Sequence, residues 1–238
     1  MEKQEKIIKM FDEIAPTYDK ANRAISLGVD TSWRKAGVGA ALEYCKNKSV
    51  KIADVACGTG DMIKIWEELA PKHGVKIEQI IGIDPSVGML GVAKEKFKDH
   101  TFITATATQT TLENASVDIV SISYGIRNVV ALDEALREFN RVIKPGGLVV
   151  VLEFTKAQNG GLVFKMRDFY VSKILPLIGG AISKNKEAYE YLPSSIGNFL
   201  DTASFKEKLI NSGFEPLVIK GFSFDVSTLF IAKKVRDA

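Results

Sequence analysis

The residues best placed to do chemistry are Asp54, the pair Gly58 and Gly60 around Thr59, Asp61 next to them, and Asp84 further on. Glycines one residue apart let the backbone turn tightly and leave room for a ligand against it. A dinucleotide fingerprint needs Gly-x-Gly-x-x-Gly, so that a pyrophosphate sits on the following helix N-terminus. Here Gly-x-Gly stands alone, and Asp61 occupies the place where the third-glycine region begins. A carboxylate there suits the helix dipole and repels a phosphate. Asp54 and Asp61 are therefore expected to bracket the turn with negative charge. That suits a cationic or zwitterionic ligand, and S-adenosylmethionine carries both an ammonium and a sulfonium. Asp84 ends the run Ile80-Ile-Gly-Ile-Asp84 and is placed to accept both hydroxyls of a ribose. The plain alternative is an ordinary strand-turn-helix with capping aspartates.

These residues need strands and helices to hold them. The apolar patterning predicts strands at 50–55, 78–83, 101–104, 116–122 and 147–153, and helices at 61–71, 86–97 and 131–143. Strands alternating with helices imply an α/β fold, a doubly wound Rossmann-like sheet, mostly parallel. Ligands in such sheets lie outside the carboxyl ends of the strands, which puts Asp84, Ser123 and Glu153 on one rim with Gly58 and Gly60. The fourth strand exits through Ser121-Ile-Ser-Tyr-Gly-Ile-Arg-Asn128, polar and glycine-containing as a site loop is. Arg127 is its residue of interest, with a solvated surface arginine as the alternative. Pro145-Gly-Gly147 reads as a turn that stops a helix and starts the fifth strand. A helix near 203–211 and strands at 214–220 and 225–232 close the chain, the last strand antiparallel.

Before the glycine turn, residues 2–15 read as a helix ended by Pro16. A loop-like segment with Thr17, Tyr18, Asp19 and Asn22 follows, then a helix from Thr31 or Ser32 to Tyr44. This leader, 1–45, is expected to be a helical lid over the ligand site; packing against the sheet edge is the alternative. Residues 157–200 interrupt the alternation with an apolar, aromatic stretch interspersed with lysines. That insertion suits a cap on the site, a groove for an apolar substrate, a contact with an anionic lipid surface, or a buried helical pair. The whole chain, 1–238, is read as a single domain.

Composition narrows the classes. The chain is 46% hydrophobic and 26% charged, and 32 basic against 29 acidic residues give a net charge of +3. That is too near balance to argue for nucleic acid. Cys45 and Cys57 have no ligand spacing, and His73 and His100 are the histidines, so no metal site is expected. A charged N-terminus without an apolar signal region, and no run of about 18 apolar residues, make a cytoplasmic protein the default.

The motifs resemble those of the class I S-adenosylmethionine-dependent methyltransferases: Asp-x-x-x-Gly-x-Gly at 54–60, Asp84, and Leu-x-x-x-Asn-Arg-Val-Ile-Lys-Pro-Gly-Gly at 136–147. The closer resemblance is to the ubiquinone/menaquinone biosynthesis C-methyltransferases. It is carried by Phe11-Asp-x-Ile-Ala-x-x-Tyr-Asp19 with Asn22, Ser26, Gly28 and Trp33-Arg34, by Asp54–Asp61, and by Tyr124-Gly-Ile-Arg-Asn-Val129. Lys144–Phe154 and Tyr189-x-Tyr-Leu-Pro-x-Ser-Ile196 add to it. The chain departs from that family's pattern in Cys57 before the turn, in Thr106-Ala107 where an Asn-Ala or Asp-Ala pair is usual, and in a last strand without histidine.

The resemblance implies C-methylation of a polyprenylated quinol ring, with demethylmenaquinol the usual bacterial substrate. It places the methyl donor, S-adenosyl-L-methionine, against Tyr18, Asp54, Gly58, Thr59, Gly60, Asp84, Pro85, Met89, Thr106, Ala107 and Ser123. The difficulty of such a reaction lies in making a ring carbon nucleophilic, which ionisation of the quinol hydroxyl achieves. Arg127 suits stabilisation of that phenolate and the ordering of a water that takes the proton, while Asn128 and Tyr124 position the ring. Glu153 and the Tyr18–Asp19 pair are the other candidate proton acceptors. An apolar substrate also implies transient contact with the inner face of a membrane, and a homodimer is compatible with the reading. Rival readings are a methyltransferase of another small molecule (a phenol oxygen or a benzoquinol), a nicotinamide-dependent oxidoreductase, and a non-catalytic donor-binding protein.

Overall fold

The structure is a computed structural model and describes residues 2–156, 185–223 and 225–238. Its centre is a seven-stranded sheet in the order β3-β2-β1-β4-β5-β7-β6. The strands are β1 (Ser49–Val55), β2 (Lys76–Asp84), β3 (Thr101–Thr104), β4 (Val117–Ser123), β5 (Ile143–Glu153), β6 (Phe214–Phe222) and β7 (Ser227–Lys234). β1 to β5 run parallel, and β7 is antiparallel to both β5 and β6. The central strands are apolar on both faces because helices cover both. Successive residues feed opposite cores: Ile52 and Val150 pack with Leu42, Ile63 and Trp66 on one face, while Ala53, Val149 and Val151 pack with Leu136, Phe139 and Phe205 on the other.

The helices of the first face are α3 (Val29–Leu42) and α4 (Asp61–Leu69), those of the second α6 (Leu132–Val142) and α8 (Thr202–Asn211), while α5 (Val87–Lys96) follows β2. From β1 the order grows through β2 and β3 to one side and through β4 and β5 to the other. That reversal leaves a crevice at the carboxyl ends of β1 and β4. Over it lie α1 (Glu2–Ile14), a 3₁₀ turn at Ala15–Thr17, and α2 (Tyr18–Ser26).

Two expectations need correction. The segment after Pro16 is helical, not a loop. α2 buries just Ala21 and Ile25, one i,i+4 pair, so its apolar period is too short to read, and polar ties to the body described below hold it. Pro145-Gly-Gly does not precede the fifth strand but lies within it. Ile143 pairs with Val117 and Leu148 with Ile119, so residues 144–147 bulge opposite Asp118. Lys144 Nζ grips the Asp118 carboxylate at 2.9 Å, and a Cβ on Gly147 would meet the Asp118 carbonyl at 2.6 Å. Most of the expected insertion lies outside the described residues; its described end is α7 (Lys186–Asn198). Among the described residues no helix is long and apolar enough to cross a membrane, and no group of His, Cys, Asp and Glu is arranged to hold a metal.

Candidate active site

A cavity of about 360 Å³ opens at the crevice, within the range of small-molecule sites. Gly58, Asp84, Pro85, Met89, Thr106, Ala107, Ser123, Tyr124 and Asn128 line its body side. Ile7, Ile8, Phe11 and Tyr18, from α1 and α2, line its other side. Asp84 is held in place from both sides. Its Oδ2 accepts the Gly58 N–H at 2.9 Å and its Oδ1 the Ser86 N–H at 2.8 Å. Burial pushes its carboxyl up to about 6, against the pull of those two donors. Ser123 Oγ is buried with no hydrogen-bond partner among the described residues. Thr106 Oγ1 sits 3.0 Å from Thr108 Oγ1. The wall thus offers a fixed carboxylate, an unused hydroxyl and an apolar floor.

Asp54, Thr59 and Gly60 are not among the residues that line this cavity. Gly60 has φ 90°, and a Cβ there would fall 2.5 Å from the Phe97 ring, so glycine is required for both reasons. Thr59 Oγ1 donates to Asp19 Oδ1 at 2.5 Å, and Asp19 also pairs with Lys96, so Thr59 anchors α2. The two carboxylates expected to bracket the turn have different surroundings. Asp61 is paired with Arg23. Asp54 accepts the Ser121 hydroxyl at 2.6 Å on Oδ1 and has no partner on Oδ2 among the described residues, and burial pushes its carboxyl up to about 7.

A second cavity, about 90 Å³, shares Phe11, Tyr18 and Tyr124 with the first. Arg127 lines this one and is buried, its side chain 7% exposed. Its Nη1 donates to Glu153 Oε1 at 2.7 Å and to the Tyr124 carbonyl at 2.6 Å, and its Nε to Ser195 Oγ at 3.2 Å. Glu153 is fully buried and also accepts the backbone N–H groups of Phe154 and Arg127. Burial pushes its carboxyl up, with Arg127 pulling the other way. Tyr124 adopts φ 58°, a left-handed conformation that β-carbon residues adopt at a cost, and its N–H donates to the Leu152 carbonyl. Its ring stacks on Phe154 with centroids 4.6 Å apart, and its hydroxyl meets Ser227 Oγ at 3.1 Å. Asn128, also buried, accepts the Tyr191 hydroxyl at 3.2 Å. Tyr18 is partly buried and desolvation pushes its phenol up, while Asp19 is committed to Thr59 and Lys96.

Asp30 and Arg23 escaped the sequence reading, and Asp12 and Arg34 entered it as motif residues without a task. Asp12 Oδ1 accepts Ser86 Oγ at 2.6 Å and the Gly88 N–H at 2.9 Å, tying α1 to the start of α5. Asp30, buried in α3, accepts from Arg23, Arg34 and Ser26. Burial pushes Asp30 up, but Ser26 and the two arginines outweigh it and hold its carboxyl below the usual range. The available signal was the i,i+4 spacing of Asp30 and Arg34 beside an apolar helix face. Nothing local marks Asp12, whose partners lie on another element.

The model of the ubiE/COQ5 methyltransferase family matches residues 1–234. The chain is 59% identical to the ubiquinone/menaquinone biosynthesis C-methyltransferase UbiE of Campylobacter jejuni, over 99% of this chain and 100% of that one. It is 35% identical to the demethylmenaquinone methyltransferase of Chlorobaculum tepidum, over 96% of this chain and 92% of that one. Among solved structures, a SAM-dependent methyltransferase of Thermotoga maritima superposes with a TM-score of 0.59 at 19% identity, covering 96% of this chain and 99% of that one, a likeness of fold. With one family's model spanning the leader, the glycine turn and the sheet through β7, the chain belongs to the ubiE/COQ5 methyltransferase family.

Proposed function

We propose that this protein methylates a ring carbon of a polyprenylated quinol, converting demethylmenaquinol to menaquinol with S-adenosylmethionine as methyl donor. The observation that carries the reading is the pair of cavities that meet at Phe11, Tyr18 and Tyr124, one walled by a carboxylate and the other by guanidinium groups. The first cavity fits the donor: Asp84 is positioned to accept sugar hydroxyls, and the unpartnered Ser123 Oγ has a bond to give. Bound there, S-adenosylmethionine supplies an electrophilic methyl group and a good leaving group.

This chain's residues then have to make the acceptor carbon nucleophilic and hold it still. Arg127 provides a fixed positive charge beside the quinol hydroxyl and favours its ionised form. Glu153 fixes the guanidinium in place and, with its oxygens occupied, acts through Arg127 rather than as the first proton acceptor. The proton passes to water. Tyr124 and Asn128 shape the passage between the cavities, and Tyr18 closes it from the lid. Strain at Tyr124 is tolerated because it turns the chain out of β4 at that passage.

The test is incubation of the full chain with S-adenosylmethionine and reduced demethylmenaquinone, followed by mass analysis and fragmentation. A product heavier by one methylene, carried on the ring, is expected. Donor binding with no product, or with the methyl on oxygen, overturns the reading. A prenylated substrate is met at a bilayer, so the reading includes transient contact with a membrane surface. Failure to float with anionic vesicles removes that part alone.

A further inference from the structure

The second cavity has two guanidinium groups in its wall, and the reading above uses one. The other belongs to Arg34, on α3, whose side chain is 7% exposed. The two are linked by a ring pair. Arg34 Cζ lies 4.8 Å from the centroid of Tyr124, Tyr124 stacks on Phe154, and Arg127 Cζ lies 5.4 Å from the centroid of Phe154. Each ring gives one face to the other ring, which leaves its second face for a guanidinium. All four side chains border the same cavity.

Arg34 has more bonding capacity than its surroundings use. Its Nη1 is paired with Asp30, but its Nε is buried and has no partner among the described residues. Support of Tyr124 and pairing with Asp30 account for the ring contact and for Nη1; they leave Nε unexplained. A buried donor without an acceptor is costly, so a ligand that brings an acceptor gains what the empty wall lacks. Asp30 has no need of Arg34 for its own charge, since it also holds Arg23 and Ser26.

We propose that Arg34 is a substrate-binding residue that holds the second oxygen of a para-dihydroxy ring, the first being held by Arg127, and so selects hydroquinones over monophenols. The proposal rests on the methyltransferase reading above for the identity of the ring. A hydroquinone carries its oxygens on opposite edges, so it needs two separate anchors. A monophenol satisfies one guanidinium and leaves the other donor buried and unused, which is the circumstance in which a site discriminates strongly.

The test is anaerobic equilibrium binding to the full chain, with S-adenosylhomocysteine present, of two ligands: naphthohydroquinone and naphthol. Wild-type protein is expected to prefer the hydroquinone by about ten- to a hundredfold, the worth of a hydrogen bond to a charged group. Arg34→Gln is expected to bring the two affinities together by weakening the hydroquinone and leaving naphthol near its wild-type value. Equal loss of both ligands marks a merely structural role and overturns the proposal, as does a preference that survives the substitution or is missing from wild type. Arg34→Lys keeps the ion pair with Asp30 and carries the same comparison if the Gln variant loses its fold. Turnover of demethylmenaquinol by wild type is measured in parallel. A wild type that prefers the hydroquinone but makes no product fails the methylation reading and leaves Arg34 in its role. A wild type that makes product and binds both ligands alike fails the Arg34 proposal alone.

Discussion

The buried carboxylates beside the two cavities are treated in opposite ways. On the side we assign to the methyl donor, Asp54 and Asp84 meet neutral partners: the Ser121 hydroxyl and the N–H groups of Gly58 and Ser86. Their carboxyls are pushed up to about 7 and about 6. On the acceptor side, Glu153 and Asp30 hold the guanidinium groups of Arg127 and Arg34. The difference tells where each side expects its charge from. Among the described residues the donor-side carboxylates have no cation hydrogen-bonded to them, which suits a positively charged ligand. The acceptor side has cations built in, which suits an oxygen that becomes an anion.

The comparison breaks most severely at Arg127. Arg127→Ala is expected to lower turnover by roughly a hundred- to a thousandfold, the usual loss when one anion-stabilising donor is removed. Donor affinity, read by calorimetry, is expected to stay near wild type. The same substitution strands Glu153 as a buried unpaired carboxylate, which costs about 3–5 kcal/mol of stability. Arg127→Met with Glu153→Gln removes both charges, so thermal stability should return while turnover does not. Recovery of turnover in the double variant would show that the pair is structural.

The donor side is sharpened by protons. A cationic ligand, or sugar hydroxyls bonded to Asp84, favours its ionised form and lowers its pKa from about 6. Donor binding should therefore release protons near pH 6 and release few at pH 8, measured by calorimetry in buffers of different ionisation heat. Asp84→Asn should reduce the release and weaken donor binding by about ten- to a hundredfold. Proton uptake would invert the argument. Asp54 supplies a stability test. Its folded pKa, about 7, lies above the ordinary 3.8, so the folded state binds this proton more tightly. The contribution is fully present below pH 3.8 and is lost as pH rises through 7, amounting to roughly 4 kcal/mol. Asp54→Asn should flatten that part of the stability profile in urea melts between pH 4 and 8.

The two sides also differ in what was legible in the sequence. What was legible on the donor side comes from short-range features, apolar runs that end at Asp84 and Ser123 and glycines that the backbone demands; its polar ties, Gly58 to Asp84 across 26 residues and Ser121 to Asp54 across 67, are as long-range as those of the other side. β1 to β4 therefore start and end within two residues of the expected positions, and Gly58, Asp84, Pro85, Met89, Thr106, Ala107 and Ser123 gather on one wall. The acceptor side is built from long-range pairs. Arg127 meets Glu153 across 26 residues, and Tyr124 meets Ser227 across 103. Arg127 and Tyr124 were noticed because they stand in a loop after a strand. Arg34 was seen as part of a motif and given no task, because its partners, Asp30 and the Tyr124 face, come together through the fold. Thr59 was placed at the donor by the family resemblance; its side chain donates to Asp19 of α2, a helix that its polar sequence concealed.

The smallest expected effect lies where the lid meets the donor side. Asp12 Oδ1 accepts from Ser86 Oγ, the residue that caps α5, and from the Gly88 N–H in the first turn of that helix. A carboxylate at a helix N-terminus gains from the dipole as well as from the bonds. Asp12→Ala removes both and should cost about 1–2 kcal/mol, confined to the attachment of the lid because the sheet core does not depend on it. Hydrogen exchange should then quicken across 2–26 and hold steady in β1, β4 and β5. Donor affinity should fall by a modest factor, since Phe11 and Tyr18 line the cavity from that segment. Uniform loss of protection through the sheet would mean that α1 is part of the folding core. Faster exchange in 2–26 with unchanged donor affinity would mean that the leader covers the cavity without contributing to what binds there.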